Sequence, residues 1–131
     1  PSHSRCDTLF IRQRVTGPPL PGIFLRAGST YLFDVVAGGM RLQKEQGYYH
    51  RVHLRCTLRL RDKSGTLVAT QEKACEVKRR FSFQPRRIRL RAKWALPSAA
   101  LGLHALEVEV LDLQSQRVSM IQRKVFVLVG R

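Results

Sequence analysis

The chain predicts an all-β fold: an antiparallel sandwich of about seven to eight strands, in one domain spanning residues 1–131. Three observations predict it. Two segments alternate apolar and basic residues, Arg51 to Arg61 and Arg87 to Trp94. Successive strand side chains point to opposite faces, so each segment has a greasy face and a cationic one. Short β-rich stretches recur between Gly, Pro and Ser turns, and no long amphipathic helix pattern interrupts them.

Taken in order, Thr8 to Val15 reads as a first strand. Thr16 to Gly22 ends it, because the prolines at 18, 19 and 21 cannot donate to a ladder and favour an extended link. The Pro18-x-x-Pro21 spacing fits a rigid loop better than a docking motif. Tyr31 to Val36 is rich in β-formers and follows the Gly28-Ser29 turn; Gly38-Gly39 closes it. Met40 to Gly47 is polar and fits a loop or one helical turn.

The first basic strand covers Tyr49 to Arg61. Asp62-Lys63-Ser64-Gly65 suits a type I turn, and Thr66 to Thr70 returns as its partner. Gln71 to Lys78 continues as a strand or bends at a bulge; Phe81 and Phe83 alternate on an apolar phase before Pro85. The second basic strand covers Arg86 to Leu96. A loop from Pro97 to Gly102 leads into the alternating Leu103 to Asp112, and Val118 to Val129 is the last strand. The apolar phases assign Val52, Leu54, Cys56, Leu58, Leu60, Ile88, Leu90, Trp94, Leu106, Val108 and Val110 to the core.

Leu101 to Asp112, followed by Arg117 to Val129, resembles the closing hairpin of bacterial Ig-like or fibronectin-like domains. In both, a Gly turn leads into an alternating strand, then an Asp-bearing turn, then a final strand. Tyr31 to Val36 similarly resembles an early strand of such domains. The resemblance implies an Ig-like β-sandwich and carries over no functional residue. The antibody-type Cys…Trp…Cys order is not matched, since Trp94 follows both Cys56 and Cys75.

Catalytic constellations are not evident. Asp62 and Asp112 sit in turns, where Asp bonds its own backbone, and Glu107 and Glu109 have the alternation of a solvated strand face. His50 and His53 are at odd spacing and point to opposite faces, so a shared metal is not expected. His104 follows a Gly turn and suits capping or packing. No nucleophile elbow or Gly-rich phosphate loop appears. No cofactor, metal or catalytic residue is assigned, and the chain is expected not to be an enzyme. The opening Pro1 to Cys6 has no apolar core, so no signal peptide is expected there, and no apolar run suits a transmembrane helix. Three cysteines allow one disulfide, with the pairing open; Cys56, on an apolar phase, reads as a small buried thiol.

Charge is the signal above background. The net charge is +15, with 24 Lys and Arg against 9 acids. Such an excess attracts polyanions. Candidate anion-binding residues are Arg51, Arg55, Arg59 and Arg61 on the first basic strand. They are joined by Lys78, Arg79, Arg80, Arg86, Arg87, Arg89, Arg91 and Lys93, a stretch that no acid interrupts. If the two strands share a sheet, these cations form a two-dimensional array. Arginine dominates it, which favours forked contacts to phosphate or carboxylate. Few aromatics interleave with it, so stacking readout of single strands is disfavoured; Tyr48 and Tyr49 only flank it.

The expected function is a non-catalytic binding or assembly module with an Arg-rich sheet face. Its partner would be a polyanion, an anionic lipid or an acidic protein surface. Two alternatives stand beside it. One is a protein that binds the nucleic-acid backbone. The other is a structural accessory domain of a larger secreted or cell-envelope protein, with incidental charge.

Overall fold

A computed structural model of the chain describes residues 5–12, 24–39, 42, 44–98 and 101–130. Nine strands occur among them: β1 (Arg5–Arg12), β2 (Phe24–Arg26), β3 (Thr30–Gly38), β4 (Lys44–Glu45), β5 (Tyr48–Asp62), β6 (Leu67–Phe81), β7 (Arg87–Ala95), β8 (Gly102–Asp112) and β9 (Arg117–Leu128). No helix is present among the described residues, and so none long and apolar enough to cross a membrane. The Pro18–Pro21 segment lies outside the described residues.

The strands form two sheets. The smaller has the order β1-β3-β7 and is antiparallel throughout. The larger runs β2-β9-β8-β5, with β6 along β5 and the short β4 against the start of β5. It is mixed: β2, which sequence periodicity does not single out, pairs with β9 in parallel. Three residues are too few to display a period. Its place comes from tertiary contacts, among them Ala27 N–H to Leu128 C=O at 2.9 Å.

The core lies between the sheets. All eleven residues assigned to it by strand phase are buried, from Val52 and Leu58 through Trp94 to Val110. Leu9, Ile11, Phe33, Val35, Val125 and Val127 join them. Phe33 and Trp94 meet within the smaller sheet with ring centroids 6.3 Å apart. Phe83 departs from the expected phase. The chain leaves β6 at Phe81, so Phe83 is exposed and meets the buried Phe81 ring in a T-shaped pair with centroids 5.7 Å apart.

The β5–β6 hairpin turns where the sequence places it. Gly65 N–H bonds Asp62 C=O at 3.0 Å, and Asp62 Oδ1 accepts from the Ser64 and Thr66 amides. Gly65 sits at φ 90°, which an L side chain rarely adopts. Beyond the turn, Lys73 takes φ 50° and the register slips between Cys56 and Leu58, a bulge in the stretch whose alternation has no clear parity. Cys56 is not a buried thiol. It forms a disulfide with Cys75, its cross-strand partner at a Cα–Cα distance of 5.1 Å. Cys6 stands outside this pair, its Sγ 3.4 Å from Ser119 Oγ on β9.

Candidate functional site

The two basic strands do not share a sheet: β5 lies in the larger one and β7 in the smaller. Their apolar faces both turn to the common core. Their cations therefore point away from it on opposite sides, and no single array forms.

On β5 the arginines meet acids. The register sets Arg59 opposite Glu107 and Arg55 opposite Glu76. Arg59 Nη1 donates to Glu109 Oε2 at 2.8 Å; that bond and the neighbouring carboxylates raise its pKa. Arg61 Nε donates to Glu107 Oε1 at 3.1 Å, which also accepts from Gln122. Glu107 is thus buried rather than solvated. Glu76 bonds both His53 Nε2 at 2.7 Å and Arg55 Nη2 at 3.0 Å, and these contacts, His53 first, lower its pKa. Arg55 and Arg59 are half-buried beside their partners, not open cations as their strand phase suggests. A half-saturated guanidinium has less to offer a ligand.

The outer face of the smaller sheet differs. Arg87, Arg89, Arg91 and Lys93 occupy four successive outward positions of β7 while Ile88, Leu90, Ala92 and Trp94 are buried. Outward positions along a strand are about 6.6–6.8 Å apart. Among the side chains described on this face, Asp34 of β3 is the single acid, and it is 0% exposed. Arg91 grips it with two bonds, Nε to Oδ1 at 2.6 Å and Nη2 to Oδ2 at 2.8 Å. From β1, Arg12 Nε reaches Oδ2 at 2.9 Å. Burial by itself would raise the Asp34 pKa. The hydrogen bonds and charges of Arg91 and Arg12 outweigh it and hold the carboxyl below its usual value. One ionised acid thus ties three strands together, and Arg91 is anchored by it. Arg87, Arg89 and Lys93 remain exposed beside that anchor.

The other cations gather near the end of β6. Lys78, Arg79 and Arg80 are exposed there, Arg51 is exposed on the paired end of β5, and Arg86 begins β7's approach. Arg79 lies over the Phe81 ring at 4.9 Å. Neither Arg12 nor Asp34 stands out as a site residue from strand periodicity. The available signal is Asp34 itself, a lone acid within the apolar run Tyr31 to Val36.

Elsewhere, a shallow cleft of about 420 Å³ opens between the β5–β6 turn and the start of β8. Its polar groups serve the backbone: Asp62 bonds Ser64 and Thr66, and the buried His104 bonds Gly102 C=O at 3.0 Å. Among the described residues, no cluster of three or more metal-ligating side chains gathers. The His50 side chain lies outside those described.

The sequence matches no family model and none of the curated proteins. Solved structures share the fold. A Niemann-Pick type C2 protein from the Japanese carpenter ant aligns with a TM-score of 0.61 at 8% identity, over 98% of this chain and 96% of that one. Spo0M, a sporulation control protein from Bacillus subtilis, aligns with a TM-score of 0.53 at 13% identity over 97% of this chain. This chain spans 50% of the Spo0M length. At these identities the likeness concerns the fold alone.

Proposed function

We propose that the chain is a non-catalytic, Ig-like binding or assembly module that recognises an anionic partner through the outer face of its three-stranded sheet. Arg87, Arg89 and Lys93 make the contacts, Arg91 and Arg12 are held in place by Asp34, and Lys78, Arg79, Arg80 and Arg86 extend the basic surface. The observation that carries it is the asymmetry between the two outer faces. Arg55, Arg59 and Arg61 of β5 are met by Glu76, Glu107 and Glu109, whereas the acid described on the other face is buried beneath two arginines. A row of cations with little competing negative charge raises the local concentration of anions and steers them in. The Ig-like assignment is supported by the positive φ of Gly102 at the first position of β8 and by Asp112, whose Oδ1 accepts from the Gln114 and Ser115 amides in the turn before β9. The Cys56–Cys75 disulfide suits an oxidising compartment.

Heparin retention and duplex-DNA shifts over a salt series test the proposal. The triple variant R87S/R89S/K93S should elute from heparin at lower salt. Its log–log salt slope on DNA should fall by about 0.9 for each lost phosphate contact. R55S, whose guanidinium is already engaged by Glu76, should behave like the parent. Equal retention and slope for the triple variant and the parent would reject the binding face.

A further inference from the structure

The edges of the two sheets are not alike. An edge strand offers unpaired backbone groups to any chain that can align with it, and proteins blunt such edges with bulges, short strands or charge. At the β1 edge, Arg123 reaches over from β9 and donates to the Leu9 carbonyl at 3.1 Å. The β6 edge is broken by the Lys73 bulge and by register shifts along β5. At the opposite end of the larger sheet, β2 has only three residues. Among the described residues, the β7 edge shows no bulge, no shortening and no side chain bonded across its backbone, although β6 of the other sheet comes near it. β7 pairs with β3 without a register shift, from Thr30 against Ala95 to Gly38 against Arg87. In the described sheet order it is a terminal strand of nine residues.

Among the described residues, the charge carried along that edge has one sign. Arg87, Arg89, Arg91 and Lys93 stand at every outward position but the last, Ala95. A second copy of the chain aligning there would set cation against cation, which is unfavourable for directly opposed strand residues. An extended segment with acids at alternate positions would instead set carboxylates beside Arg87, Arg89 and Lys93, while its backbone continued the ladder. We infer that β7 is a docking edge for an acidic, extended peptide that adds to the three-stranded sheet as a fourth strand. This rests on the anion-binding face proposed above and adds the form its partner takes. The period of two is the discriminating property. A shapeless polyanion needs only charge density, whereas an added strand needs its acids about 6.6–6.8 Å apart on one side and its own amides available.

The test uses the full chain and labelled synthetic peptides of about nine residues, the length of β7. One alternates Thr and Glu. A second has the same composition with its glutamates consecutive. A third is the alternating peptide N-methylated at every second amide, so that its backbone cannot pair along one edge. Fluorescence anisotropy should show the alternating peptide binding about tenfold tighter than either of the others, since the methylated one loses a few ladder bonds and the consecutive one turns half its acids away from the cations. Hydrogen exchange should slow along residues 87–95 when it binds. R87S/R89S/K93S, verified as folded by an unchanged far-UV spectrum, should lose the preference. Equal affinities for the three peptides, or no slowing along β7, overturn strand addition. If heparin retention is still lost in the triple variant in that case, the anionic face stands and only its strand-adding form falls. Unchanged heparin retention in the triple variant overturns the anionic face itself.

Discussion

Asp34 shows how one side chain can set the character of a surface. A buried, unpaired carboxylate is very costly. Here Arg91 and Arg12 supply three short bonds, and their own side chains keep 28% and 16% exposure. Replacing it by Asn should cost about 2–3 kcal/mol, less than the 3–5 of a fully buried pair, because both guanidiniums can turn to water. The pH dependence has a definite sign. Asp34 titrates lower in the folded chain than in the unfolded one, so the folded state binds fewer protons. Its stabilisation is complete above the ordinary carboxylate range, near about pH 4, and is lost as pH falls through the lower folded value. Melting midpoints measured from neutral pH into acid should therefore drop, and D34N should show a shallower drop from a lower start. A D34N protein that melts like the parent at every pH would mean that the two arginines gain nothing from the carboxylate.

At the scale of the element, the β5–β6 hairpin combines a turn written locally with a crosslink that is not. Asp62 and Gly65 specify the turn, through a side chain that caps amides and a residue at ease with positive φ. The disulfide closes a loop with a sequence separation of 19 residues. Chain-entropy reasoning assigns such a loop about 3 kcal/mol, by restricting the unfolded chain. The double variant C56S/C75S should lose about that much in a urea titration, and its far-UV spectrum should keep its strand shape. A variant as stable as the parent would show that the ladder holds β6 without the crosslink. Cys56 itself is 1% exposed on the core face, so C56A/C75A separates the loss of the bond from the burial of a hydroxyl at position 56.

For the whole molecule, the consequence of the packing is cooperativity. Leu9, Phe33, Val35, Leu90 and Trp94 of the smaller sheet belong to the same buried cluster as Leu54, Leu58, Leu106, Val108 and Val125 of the larger. Among the described residues, neither sheet has a second apolar layer of comparable extent to retreat to. Unfolding followed by Trp94 fluorescence reports on the smaller sheet, and far-UV circular dichroism reports on both. The two transitions should superimpose, as expected of a two-state domain. Ellipticity that persists after Trp94 has become exposed would mean that the larger sheet survives alone.

Strand existence and phase are legible in the amino-acid sequence by itself. The side-chain period of two is local, so Val52 to Leu60 and Ile88 to Trp94 declare their buried faces within a few residues. Turn chemistry at Asp62–Gly65 and at Asp112 is local as well. Other features are pairwise and distant. β2 has too few residues to carry a period, and Phe83 loses its phase because the chain turns out of β6. Glu107 looks solvated in its own strand and is buried because Arg59 and Gln122 are set across from it and Arg61 reaches it diagonally. The same holds for the cations. Alternation predicts that the arginines of β5 and β7 point away from the core, and they do. Whether they point the same way depends on which strands are neighbours, and strand order is a property of contacts between residues far apart in the chain. Packing put β5 beside acid-bearing β8 and β7 beside Asp34, which separates the paired Arg55, Arg59 and Arg61 from the exposed Arg87, Arg89 and Lys93.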